Sequence, residues 1–134
     1  MYLIDSDVLI DFLKNRKETV VFLNEINKSG ISTSIICVGE ILEGLDKNKS
    51  KKFLKFIDLI NLFNINILEI IKFSKIRKEL RKQGNLIDNF YILIAATCLV
   101  NDLTLVTNNL KHFKRIEGLK ILDIKKPSKL EGFD

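Results

Sequence analysis

Five side chains carrying oxygen donors, Asp5, Asp7, Glu40, Asp88 and Asn109, are expected to reach the mouth of one sheet. Carboxylates brought together repel one another, and a divalent cation relieves that repulsion. The set contains no histidine and no thiolate, so it suits a hard, oxygen-loving ion, Mg2+ or Mn2+. Beside a basic rim, such an ion suits phosphodiester hydrolysis. It orients and acidifies an attacking water and neutralises charge building on the phosphate.

The surrounding sequence explains why these residues should meet. Tyr2-Leu3-Ile4 is a short apolar run without polar alternation, which predicts a strand buried on both faces. Asp5 then sits at the carboxyl end of a strand, where open α/β sheets bind ligands. Val8, Leu9, Phe12 and Leu13 have helical spacing, with Ser6 or Asp7 as the expected cap. A second helix is expected over Thr19–Ser29 and a short strand over Gly30–Ser34. Ser34 should cap a helix over Ile35–Leu45, whose stripe is Val38, Ile41, Leu42 and Leu45. Glu40 points off that stripe, with Cys37 and Gly44 as small neighbours that leave room for a ligand. An amphipathic helix is expected over Lys49–Phe63, a strand over Asn64–Leu68 and a lysine-rich helix over Glu69–Lys82. Gly84-Asn85 reads as a turn. Asp88–Asn101 is apolar nearly all round, as a central helix should be. Leu103–Thr107 reads as a buried strand ending at Asn108-Asn109, followed by a short helix over Leu110–Arg115 and a last strand over Leu119–Ile124. Strands alternating with helices predict an α/β sandwich with a mostly parallel sheet.

Composition bounds the remaining choices. The chain has 134 residues, 46% hydrophobic and 29% charged, which suits one globular domain. That domain is expected over residues 1–124, with a loosely held tail over 125–134. One proline and six glycines leave little room for linkers. No apolar run has the length of a membrane span, and the N-terminus lacks the basic, then apolar, pattern of a signal peptide. A cytoplasmic protein with no membrane partner is expected. Cys37 and Cys98 stand apart among apolar neighbours and read as reduced core residues. His112 is the only histidine, which excludes a His-rich metal site. The net charge of +5 suits an anionic partner. Lys72, Lys75, Lys78 and Lys82, or Lys111, Lys114 and Arg115, are candidates for RNA phosphate contacts.

Taken together, these segments resemble the PIN-domain nucleases, specifically the VapC-type toxins of prokaryotic toxin–antitoxin pairs. The resemblance runs from Tyr2 to about Asp123. It rests on Leu3-Ile4-Asp5-Ser6-Asp7-Val8-Leu9-Ile10, on Ser34 through Glu40 to Gly44, on Gly84 through Ile94-Ala95-Ala96, and on Leu105-Val106-Thr107-Asn108-Asn109 with Phe113 and Gly118-Leu119. It implies a PIN-like α/β/α sandwich and a Mg2+- or Mn2+-dependent endoribonuclease. It also implies a small cognate antitoxin as inhibitor, a homodimer, and DNA contacted only indirectly through the antitoxin. Asp5 and Glu40 match two of the family's metal-binding acids, and Asn109 matches a weaker position that is often Asp or Asn.

One departure stands out. The family places an aspartate three residues before the Ile94-Ala95-Ala96 run, where this chain has Tyr91. A phenol is a poor Mg2+ ligand and bulkier than a carboxylate. Three explanations fit: a naturally weakened member, an inactivating substitution, or Asp88 one turn earlier serving in its place. If Tyr91 fills the ion's space, its hydroxyl should point toward Asp5 or Glu40. Cys37, where the family usually has threonine, is a milder departure affecting packing or a hydrogen bond behind the ligands. A catalytically impaired PIN-fold module that binds RNA or antitoxin is the alternative function. A remoter one is a haloacid-dehalogenase-like phosphatase, suggested by Asp5-x-Asp7. That family also needs a Gly-Asp motif, which this chain lacks.

Overall fold

The computed structural model describes residues 1–26 and 30–124 and the backbone of residues 130–131. Strands β1 (Tyr2–Ile4), β4 (Thr104–Thr107) and β5 (Ile121–Asp123) form a parallel sheet in the order β1-β4-β5. β6 (Leu130–Glu131) adds an antiparallel edge strand. β2 (Ser32–Ser34) and β3 (Asn61–Phe63) form a separate parallel pair. The helices are α1 (Ser6–Leu13), α2 (Lys17–Ile26), α3 (Ile35–Glu43), α4 (Lys47–Ile57), α5 (Ile67–Lys82), α6 (Asn89–Asn101) and α7 (Leu110–Phe113).

Period-two alternation along the strands splits the core into two layers. Leu3, Leu105 and Ile121 face one side, where Ile92, Ala95 and Cys98 of α6 and Phe113 of α7 cover them. Ile4, Val106 and Leu122 face the other, against Val8 and Leu9 of α1, Leu23 of α2 and Val38 and Ile41 of α3. This is the expected α/β/α sandwich with a mostly parallel sheet. The β2–β3 pair is tied to β1 by side chains. Ser32 Oγ donates to the Tyr2 carbonyl, and Thr33 Oγ1 donates to the Ile4 carbonyl at 2.7 Å.

Several elements differ from the sequence expectation. α1 begins at Ser6 and is capped by Asp5, whose carboxylate accepts the Ser6 N–H, rather than by Ser6 or Asp7. α2 starts at Lys17, and the expected continuation over 27–29 lies outside the described residues. α4 stops at Ile57, and β3 occupies Asn61–Phe63, where helix was expected. No strand forms over Asn64–Leu68, because α5 starts at Ile67 behind a capping box of Asn66 and Glu69. The open edge of β2 captures Asn61–Phe63 in register Ser32↔Asn61 to Ser34↔Phe63. That pairing is non-local, and it overrides the amphipathic pattern of the segment. In the tail, Leu130–Glu131 pairs with β5, while 125–129 and 132–134 lie outside the described residues.

The Thr33 hydroxyl is fully buried, so losing it leaves a carbonyl of β1 without its partner. Thr33→Val, nearly isosteric, is expected to lower stability by about 1–2 kcal/mol. Urea unfolding measures this, and an unchanged midpoint would remove the tie between β1 and β2.

Candidate metal centre

Asp5 lies where β1 turns into α1. Its backbone N–H donates to the Val106 carbonyl at 2.9 Å, extending the β1–β4 ladder by one bond. The side chain is only 4% exposed. Oδ1 accepts the Ser6 N–H at 2.8 Å and the Cys37 thiol at 3.8 Å. Oδ2 accepts the Thr107 hydroxyl at 2.7 Å. Burial pushes the Asp5 carboxyl above its ordinary range, and the nearby Glu40 charge adds to this, against the Thr107 and Ser6 bonds.

Glu40 approaches from α3. That helix is anchored by Ser34, whose Oγ accepts the Cys37 N–H at 3.1 Å. Glu40 Oε1 is buried and has no hydrogen-bond partner. Its carboxyl is pushed up first by burial, then by the charges of Asp88, Asp7 and Glu43, with the Ser6 hydroxyl opposing. Asp7, on the first turn of α1, is raised to about 6, again first by burial and then by the Asp5 charge. Among the described residues, no lysine or arginine forms an ion pair with Asp5, Asp7, Glu40 or Asp88. One donor atom each from Asp5, Cys37 and Glu40 lies within 4.8 Å of the other two. An orphaned buried oxygen among uncompensated acids is the environment a divalent cation fits. Cys37 corrects the expectation of a set without sulfur, because its buried thiol belongs to the cluster.

Asn109 and Tyr91 form a second arm. The Asn109 N–H donates to Thr107 Oγ1 at 2.9 Å, so one threonine links this arm to Asp5. Asn109 Nδ2 donates to the Tyr91 hydroxyl at 2.9 Å. The Tyr91 ring stacks on His112, with centroids 4.6 Å apart and planes at 13°, and meets the edge of Phe113 at 5.3 Å. The phenol oxygen is thus paired with Asn109 rather than with Asp5 or Glu40. The aromatic stack holds the ring on the α7 side of the site. Asp88 is exposed and caps α6, accepting the Phe90 N–H at 2.9 Å. Its charge still reaches Glu40.

The sequence assigns Thr107 no role, Ser6 only a capping role, and His112 only the exclusion of a His-rich site. Thr107 comes opposite Asp5 only through the β1–β4 register, Ile4↔Val106. A hydroxyl at a strand's last residue, two before a polar helix cap, was the available signal.

A family model described as "PIN domain" matches residues 2–119. Ribonuclease VapC1 of Methanocaldococcus jannaschii is 39% identical over 124 residues, covering 90% of this chain and 86% of that protein. The tRNA(fMet)-specific endonuclease VapC of Salmonella typhimurium is 27% identical over 127 residues, covering 91% of this chain and 96% of that protein. A chain of VapBC2 from Rickettsia felis, solved bound to a DNA fragment from their promoter, matches with a TM-score of 0.82 at 26% identity, covering 91% of this chain and 97% of that one. A chain of VapBC-1 from nontypeable Haemophilus influenzae matches with a TM-score of 0.81 at 25% identity, covering 93% and 98%.

The raised carboxyl of Asp7 gives a signed pH dependence. Its folded value of about 6 exceeds the ordinary 3.8, so between those values the native chain holds a proton that the unfolded chain has released. The destabilisation is fully present above about pH 6 and is relieved as pH falls toward about 4. Asp7→Asn should therefore stabilise the metal-free protein by about 1–3 kcal/mol at neutral pH and flatten the rise in Tm on acidification. Thermal unfolding across that range checks it; a variant no more stable than its parent above pH 6 would refute the repulsion.

Proposed function

The chain belongs to the PIN-domain family, in its VapC branch, and from that premise we propose that it is a Mg2+- or Mn2+-dependent endoribonuclease toxin restrained by a cognate antitoxin. The observation that carries this reading is the group of Asp5, Asp7 and Glu40. They crowd together without a cationic partner, and Glu40 keeps a buried oxygen free. Asp5 and Glu40 would hold the ion, with Asp7 beside them and Asn109 at the margin. When bound, the ion would orient and acidify a water and neutralise charge on the scissile phosphate. Thr107 and Ser6 fix the Asp5 carboxylate in one orientation, and Ser34 fixes the helix that carries Glu40. The basic candidates for RNA contact include Lys111, which is exposed on α7 two residues beyond Asn109.

Tyr91 favours a weakened enzyme over a fully active one. Its hydroxyl is paired with Asn109 and its ring is packed on His112, so it supplies no charge where the family has an acid. The same observation supports the second reading, an impaired module that binds RNA or antitoxin. Asp88 is bound up in capping α6, although its charge is felt at Glu40. RNA cleavage with Mn2+ should be weak in the parent and rise about 100-fold in Tyr91→Asp, if one electrostatic contact in the transition state is restored. Asp5→Asn should abolish what activity there is. Strong parental activity lost in Asp88→Asn, with no gain from Tyr91→Asp, would move the third acid to Asp88. No cleavage by any variant would leave the binding-module reading.

The antitoxin seat we infer is a cleft of about 350 Å3 between α1, α3 and α4. Ile10, Leu13, Ile41, Leu45 and Phe53 line it, and Lys14, Lys49 and Lys52 rim it. Such a cleft suits an amphipathic segment with acidic flanks. The neighbouring structures named VapBC support a partner of this kind. Phe22 and Leu23 are core residues, and Ile41 and Phe53 form the buried floor of the cleft, so a partner reaches it at Ile10, Leu13 and Leu45. Exposed apolar groups include Leu13, which lines the cleft, and Ile67, Leu68, Ile70 and Ile71 on α5, a face suited to homodimerisation. Leu13→Glu is expected to weaken binding of the co-encoded antitoxin by at least about tenfold while leaving Mn2+ affinity unchanged. Titration calorimetry with both ligands checks this, and unchanged antitoxin affinity would exclude the cleft.

A further inference from the structure

Cys37 occupies an unusual place for a core cysteine. It precedes Glu40 by three residues on α3, so both side chains leave the same face of the helix. Its sulfur is oriented from two sides: the Ser34 hydroxyl donates to Sγ at 3.4 Å, and the thiol donates to Asp5 Oδ1 at 3.8 Å. Three ligands of a tetrahedral ion, at metal distances of about 2.0–2.3 Å, stand about 3.3–3.8 Å apart. The separations among Asp5, Cys37 and Glu40 lie within 4.8 Å, a triangle that small side-chain movements bring to that size. The side chain is fully buried, so a sulfur ligand here would be shielded from competing water.

Charge points the same way. Tyr91 stands where the family has an acid, and its hydroxyl is turned to Asn109. Asp5 and Glu40 therefore supply two negative charges where three carboxylates would supply three. Burial and the Asp5 charge push the Cys37 thiol up to about 12, so it restores the third charge only as a thiolate bonded to a cation. Sulfur changes the preference as well as the charge, since thiolate ligands favour Zn2+ and similar borderline or soft ions over Mg2+.

We propose that Cys37 is a direct metal ligand in this chain, so that Asp5, Glu40 and Cys37 form a site selective for thiophilic divalent cations such as Zn2+, Co2+ and Cd2+. As the metal–sulfur bond forms, the thiol proton leaves to solvent. The inference rests on the reading of Asp5 and Glu40 as metal ligands, but it alters the ion the site prefers. Cys98, also buried, is outside the donor triangle and serves as the control.

The test titrates the full-length reduced protein with Co2+ and, separately, with Mn2+, in the parent and in C37S, C37A and C98S. Co2+ bound to the parent should show the intense near-ultraviolet absorption of a thiolate–Co2+ bond. That band should survive in C98S, vanish in C37S and C37A, and bleach when Zn2+ is added. Co2+ and Zn2+ affinity should fall at least about tenfold in C37S, while Mn2+ affinity changes little, because serine keeps a hydrogen bond to Asp5 but offers no sulfur. Circular dichroism of each variant shows that the fold is retained. Co2+ binding to the parent without the sulfur band would overturn the role of Cys37 and leave the carboxylate site standing. Parallel losses for Mn2+ and Co2+ in C37S would reduce Cys37 to a hydrogen-bond donor. Failure of the parent to bind either ion would overturn the carboxylate reading as well.

Discussion

A buried carboxylate crowded by other acids is the constraint on which the rest of this structure depends. Asp5 is almost wholly removed from water, receives three hydrogen bonds, and still lies beside the charges of Glu40 and Asp7. Hydrogen bonds from Ser6, Thr107 and Cys37 satisfy its lone pairs but do not neutralise its charge. Repulsion of this kind is relieved by a proton or by a metal ion, and only the ion leaves all the carboxylates ionised. The surroundings make the arrangement permanent. The β1–β4 register puts Thr107 opposite Asp5, the Ser34 cap sets the start of α3, and the Thr33 hydroxyl ties β2 to β1. The first and last of these join elements far apart in the chain, so the acids meet only when the sheet is complete.

The other half of the site is organised around neutral groups. Thr107 serves both arms, donating its hydroxyl to Asp5 and accepting the Asn109 N–H. From Asn109 the chain of contacts continues to the Tyr91 hydroxyl, then through the stacked ring to His112 and Phe113. An aromatic ring gains from this packing in a way a carboxylate could not. Tyr91 therefore buttresses α6 against α7.

Much of this was legible in the residues themselves, and for a local reason. A strand buried on both faces must be a short apolar run, and the backbone groups at its end must be capped by something polar. Tyr2–Ile4 followed by Asp5, and Leu105–Val106 followed by Thr107 to Asn109, announce the carboxyl edge of a parallel sheet without any knowledge of packing. Ser34 before Cys37 and Asp88 before Phe90 are helix caps that depend on neighbours two or three residues away. For the same reason Asp5, Glu40 and Asp88 could be assigned to one edge of the fold, and the PIN-type pattern could be identified from their order.

What only the tertiary structure decided is whatever depends on partners distant in sequence. Asn61–Phe63 continues an amphipathic helical pattern, yet it becomes a strand because the edge of β2 lies open beside it. Leu130–Glu131 pairs in the same way with β5. Cys37 reads locally as an ordinary core residue. Its thiol joins Asp5 and Glu40 because α3 crosses the end of β1, a geometry with no trace in residues 34 to 40 alone. The direction of the Tyr91 hydroxyl was likewise set by the positions of Asn109 and His112, eighteen and twenty-one residues further along. Residue type and spacing determined which groups would reach the site. The long-range register of strands and helices determined which of them touch.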